Sequence, residues 1–167
     1  MVRSTWRMGA VLISGVCLAT SVGAAGPDLI ALSRAIETAV HSLEGGWQIV
    51  EYTRVREDAI TYRWRRTAPR STELPQDSRN QVMASITHVG SSEEAVSEVN
   101  HVPNGLQGRG RLERRPDIGA TARLCRQCGP ADSPIVSFAN GPILVRVSGP
   151  SENDVVRFAA VIARQIR

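Results

Sequence analysis

The chain has 167 residues, and all 20 of its basic side chains are arginines, set against 16 acids for a formal net charge of +4. With Arg3 and Arg7 lost in a leader, 18 arginines face those 16 acids and the charge falls to +2, a field too weak to make nucleic acid an expected partner. The length suits one domain with a real core and leaves too little chain for two.

Arg3 and Arg7 are followed by an apolar run, Met8 to Val22, and then by small residues, with no charge until Asp28. This is the layout of a secretory signal peptide. The run falls short of the ~20 residues that cross a bilayer as a helix. Residues 1–25 are therefore expected to be removed, with cleavage after Ala24 or Ala25, and Cys17 goes with them. What is left, residues 26–167, is expected to act in the periplasm or outside the cell, without a stable membrane span.

Asp28 can cap a helix carrying Leu29, Leu32, Ile36, Ala39 and Leu43 on one stripe, and Gly45-Gly46 ends it. In WQIVEYTRVREDAITYRWRR, Trp47 and Ile49, then Ile60, Tyr62 and Trp64, alternate with polar residues around Glu57-Asp58. That predicts an antiparallel hairpin whose wet face bears Arg63 and Arg65. Residues 67–80 hold two prolines and no periodicity, and predict a surface loop.

Val82–Val89 reads as a strand, and Ser91 with Glu94 forms a capping box for a short helix bearing Ala95, Val96, Val99 and Val102. Residues 103–119, rich in glycine and arginine, read as loop with at most a short strand, and Ala120–Cys125 as a strand. Asn140-Gly141 between IVSFA and PILVRVS predicts a hairpin with a type I′ turn. Pro142 beside it suggests an edge or the first residue of a strand. Ser151 and Asp154 open a last helix with Val155, Phe158, Ile162 and Ile166 on its apolar side.

The expected fold is α+β: an antiparallel sheet of two hairpins plus a central strand, packed by N-terminal, middle and C-terminal amphipathic helices. A loop, a turn-linked apolar hairpin and a C-terminal amphipathic helix over the last ~90 residues resemble the PsbP-like α/β/α sandwiches seen among exported bacterial proteins. The resemblance implies a fold and no ligand.

Cys125 and Cys128, in LCRQCGP, are the two thiols of the expected mature chain. A redox CxxC needs a helix start after the first cysteine to lower its pKa, and Gly129-Pro130 is turn composition instead. Zinc needs four ligands, and His41, His88 and His101 are scattered, so no metal site is expected. In an oxidising compartment the pair is expected to form a structural disulfide.

Two arginine groups, Arg63, Arg65, Arg66 and Arg70, and Arg109, Arg111, Arg114 and Arg115, are candidate anion-binding patches. Their bland alternative is a solvated face paired with Glu57, Asp58, Glu113 and Asp117. No paired carboxylates, G-x-S-x-G elbow or true phosphate loop appears, so no catalytic residue and no cofactor is expected. The leading reading is an exported, non-catalytic binding or interaction protein, with another exported or envelope protein as a candidate partner. The rivals are a thiol–disulfide oxidoreductase attacking through Cys125 and resolving through Cys128, and a polyanion-binding module.

Overall fold

The computed structural model describes residues 28–43, 46–56, 58–67, 80–101, 111–129 and 132–166. The expected signal peptide, Arg70, Arg109 and Val102 lie outside them. Asp28 caps α1 (Leu29–His41), its carboxylate accepting from the Ile30 and Ala31 amides at 2.9 and 3.2 Å. Two long strands follow, β1 (Trp47–Arg56) and β2 (Ala59–Arg66), and then β3 (Gln81–His88). Helix α2 (Ser92–Asn100) carries the expected capping box, with Ser91 Oγ accepting from the Glu94 amide and Glu94 Oε2 accepting from the Gly90 amide. After it come β4 (Leu112–Arg114), β5 (Arg123–Cys125), β6 (Ile135–Asn140), β7 (Ile143–Ser148) and α3 (Glu152–Gln165).

The fold is α+β, as expected, but the sheet has seven strands rather than two hairpins plus a central one. All are antiparallel, in the order β1-β2-β3-β7-β6-β5-β4. The strands outside that two-hairpin scheme are β4, in the region read as loop with at most a short strand, and β5, the end of the strand expected over Ala120–Cys125; each is three residues long and too short to show a period of two. Thr121 extends their ladder: its hydroxyl donates to the Ala139 carbonyl at 2.8 Å and accepts from the Ala139 amide at 2.9 Å.

Strand alternation sorts the core. Ile60, Tyr62 and Trp64, then Val82, Ala84 and Ile86, then Val145 and Val147, and Val136 and Phe138 all face one side. There they meet Ile36 and Val40 of α1 and Val155, Phe158 and Ile162 of α3, two helices that also pack on each other. Helix α2 lies over β6 and β7 on the opposite face. It buries Ala95 and Val99, and Arg146 of β7 donates to Glu98 Oε2 at 2.7 Å. Among the described residues, helices thus cover one face broadly and part of the other.

The last hairpin differs from its expected turn. Asn140 pairs with Ile143, so the loop residues are Gly141 and Pro142 rather than Asn140 and Gly141. Among the described residues, Gly141 has φ +57° while Asn140 keeps a negative φ, the pattern of a type II′ turn. The shift follows from Pro142, which lacks an N–H and cannot serve the ladder in the frame that Asn-Gly would impose. In the turn no ladder N–H is asked of it, while its carbonyl still accepts from the Val89 amide at 2.9 Å, and β7 is free to be a central strand. Asn140 instead donates through Nδ2 to the Ile166 carbonyl at 2.7 Å, closing the end of α3.

Candidate functional site

The cysteine pair sits where β5 ends. Cys125 and Cys128 are disulfide-bonded with Cα atoms 5.6 Å apart, and each is 3% exposed. Arg126 and Gln127 project from the loop they close. After Cys128, the Gly129 amide donates to the Ser133 carbonyl at 2.8 Å, and a Cβ on Gly129 would meet that same oxygen at 2.8 Å. Glycine is therefore required there. Among the described residues the next regular element is β6 and not an α-helix, so neither thiol lies at a helix N-terminus.

Arginines fasten this corner to the domain. Arg126 Nε donates to Glu152 Oε2 at 2.8 Å, and its Nη1 pairs with Glu113 of β4. Arg115 grips Asp117 through two hydrogen bonds of 3.0 and 2.7 Å and lies 3.8 Å from Glu152. The hydrogen bond from Arg115 holds the Asp117 carboxyl below its ordinary range and raises the guanidinium's own pKa. Bonds to Glu152 and Glu113 raise that of Arg126. Glu152 opens α3, where a carboxylate also favours the helix dipole.

The first arginine group is divided by the strand itself. Arg63 and Arg65 lie on one face of β2 and Arg66 on the other. Arg63 pairs with Glu51 at 2.8 Å. Arg66 stacks over Trp47, 4.9 Å from the ring centre, and donates to Asp154 Oδ1 at 2.7 Å. Asp154 is 6% exposed and takes a second bond, from Ser151 Oγ at 2.7 Å. Of the second group, Arg111 and Arg114 are exposed near the β4 edge while Arg115 turns back to Asp117. Among the described residues, then, the first group is split between the two faces of β2 and Arg115 of the second is held by Asp117.

A different site, built from residues far apart in sequence, lies between α1 and β1. Val40, Trp47 and Trp64 wall the buried side of a cavity of about 190 Å³. Glu37, His41 and Gln48 stand around its more open side. Tyr62 stacks on Trp64 with ring centres 4.8 Å apart, and Phe158 packs against both tryptophans at 4.9 and 5.2 Å. The Tyr62 hydroxyl donates to Ser33 Oγ at 2.7 Å, and Ser33 donates onward to Glu37 Oε1 at 3.4 Å. Burial pushes the Tyr62 phenol up to about 12.

One atom in this aromatic group is unmatched. Trp64 is 1% exposed, and its indole Nε1 has no hydrogen-bond acceptor among the described residues. A buried donor left in that state costs about 1–3 kcal/mol. Sequence reading missed the site because its only local signal is Glu37 and His41, one turn apart on a helix and alone too weak to mean anything. Among the described residues no group of three or more His, Cys, Asp or Glu side chains could hold a metal ion. None of their helices is long and apolar enough to cross a membrane.

No protein-family model matches the chain. No curated protein matches it either. Among solved structures it is similar to one described as a GTP binding regulator from Thermotoga maritima, with 12% identity and a TM-score of 0.46, over 81% of this chain and 89% of that one.

Proposed function

We propose that this chain is an exported, non-catalytic binding module whose cysteine pair is a structural staple. The observation that carries the reading is the disulfide corner: two bonded, buried sulfurs, followed by a glycine-tight loop and a strand. A thiol–disulfide enzyme needs an accessible attacking sulfur tuned by a helix N-terminus. Disulfides persist in oxidising compartments, which supports export. Arg126, the most prominent charge in the loop, is already engaged by Glu113 and Glu152, which supports an architectural use of the turn.

Helices on both faces of an antiparallel sheet support a likeness to PsbP-like sandwiches at the level of layers. The engagement of Arg63, Arg66 and Arg115 with nearby acids favours a small-ligand or protein partner over a polyanion. Intact mass of the protein recovered from cells, with and without alkylation, tests the reading. The expected result is loss of the leader near Ala24 or Ala25 and two sulfurs that take up no alkylating agent until the protein is unfolded and reduced. A Cys125 that is alkylated in the folded protein after mild reduction would turn the reading towards the oxidoreductase.

A further inference from the structure

The sheet and its helix layer end together on the β1 side. Among the described residues β1 is the outermost strand and pairs only with β2, so its other edge presents backbone N–H and C=O groups without ladder partners. Large apolar side chains gather there. Of the six that are exposed among the described residues, Ile49, Val50 and Tyr52 lie on β1 and Ile30 on α1, each 42–47% exposed. Ile49 and Tyr52 point to the helix side, since they stand opposite Trp64 and Tyr62 in the ladder. Helix α1 turns a flank towards them. Ile30, Arg34, Glu37 and His41 recur on it at steps of three and four, and Glu37 and His41 adjoin Gln48 and Ile49 at the α1–β1 cavity. The opposite flank, with Leu32 and Ala35, faces the β6–β7 turn and the end of α3.

We propose that this edge is a self-association surface, on which β1 pairs antiparallel with β1 of a second copy about a two-fold axis near Tyr52. A bare edge is matched by another strand, which returns a partner to each N–H and C=O, whereas a lipid surface returns none. The ladder to β2 is irregular at Ile49/Glu51 and at Arg54/Arg56. Regular pairing is therefore centred on Glu51–Arg54, and the contact is short.

Charge selects the second copy as the occupant. A two-fold axis perpendicular to the sheet keeps both α1 helices on one face and runs them antiparallel beside the joined edge. Arg34 of each copy then comes within reach of Glu37 of the other, and the pair is made twice. Both groups are available for it. Among the described residues Arg34 has no ion pair within its own chain, and Glu37 accepts one long bond, from Ser33 Oγ at 3.4 Å.

The protein recovered from cells, disulfide intact, is followed by sedimentation equilibrium up to about 1 mM, a range that reaches weak specific association. A reversible monomer–dimer equilibrium is expected, with amide exchange at residues 50–53 slowing as the dimer fills. Arg34→Glu and Glu37→Arg should each weaken dimerisation on the order of tenfold or more, because each sets like charges together twice. Mixed in equal amounts, the two variants should recover it, since every pair across a mixed dimer is again opposite in sign. Val50→Lys should weaken it from the strand side.

A monomer at every concentration, exchange at residues 50–53 that ignores concentration, or a mixture no more dimeric than its components overturns the proposal. So does a foreign peptide strand that binds the edge of a protein that stays monomeric. Should Glu37→Arg not fold, Arg34→Glu at its exposed position and Val50→Lys carry the test, and unchanged dimerisation in both overturns it. The interface owes nothing to the cysteines: an accessible, reactive Cys125 removes the non-catalytic module and leaves this equilibrium untouched.

Discussion

The two ends of the sheet are held by different physics. At one end, β1, β2 and β3 are 8 to 10 residues long, and Trp47 and Trp64 are buried against Phe158 with Tyr62 stacked on Trp64. At the other, β4 and β5 have three residues each and are fastened by a disulfide, a threonine hydroxyl and exposed ion pairs. Long strands with large apolar side chains supply enough burial to order themselves, at about 25 cal/mol per Å². Short strands bury too little and need a covalent tie that limits the unfolded chain instead.

If that contrast is right, Phe158→Ala should be the most damaging change. It removes the ring that both tryptophans pack on and is expected to cost about 3–5 kcal/mol in chemical unfolding. A loss under about 1 kcal/mol would break the comparison at its stronger end.

Alkaline pH sharpens it next. The Tyr62 phenol is raised from 10.0 to about 12 in the folded state, so its neutral form belongs to the fold. Its full contribution is present below pH ~10 and is lost as pH rises through ~12, for a total near 2–3 kcal/mol. Unfolding measured from pH 9 to 12 should show this decline, and Tyr62→Phe should flatten it.

The paired change Cys125→Ser with Cys128→Ser should cost about 2 kcal/mol, the loop-closure value for so small a ring. It should open the β4–β5 end first, seen as faster amide exchange at Leu112–Arg114 than at Ile60–Trp64. Equal acceleration at both ends would mean that the staple holds the whole sheet. The smallest effect belongs to Arg126→Ala. Its side chain is exposed and screened by solvent, so the change in melting temperature should be slight and should vanish in high salt.

Much of this architecture is legible in the residues. The three helices announce themselves through Asp28, the Ser91–Glu94 box and Ser151–Asp154, because caps are local chemistry. The Trp47–Arg66 hairpin follows from alternation for the same reason. The turn at Asn140-Gly141 was misplaced by one residue because two local rules compete there and the missing N–H of Pro142 wins. The first arginine group is divided for a geometric reason: Arg65 and Arg66 are neighbours in sequence and opposites across a sheet. The cavity needs Glu37, Trp47 and Trp64 to converge, and convergence across 27 residues is tertiary information that no periodicity carries.

The strand order also fixes when the molecule can become whole. Strand β7 is the last strand made, yet it lies in the middle of the sheet, between β3 and β6. Until Ile143–Ser148 is available, β1–β3 and β4–β6 are two separate ribbons, each missing the neighbour that would join them. Assembly must therefore wait for nearly the full chain, with long-range contacts closing last. A chain cut before Ile143 keeps every aromatic residue of the sheet and still has no way to close it, and its bare β3 and β6 edges invite pairing with other chains.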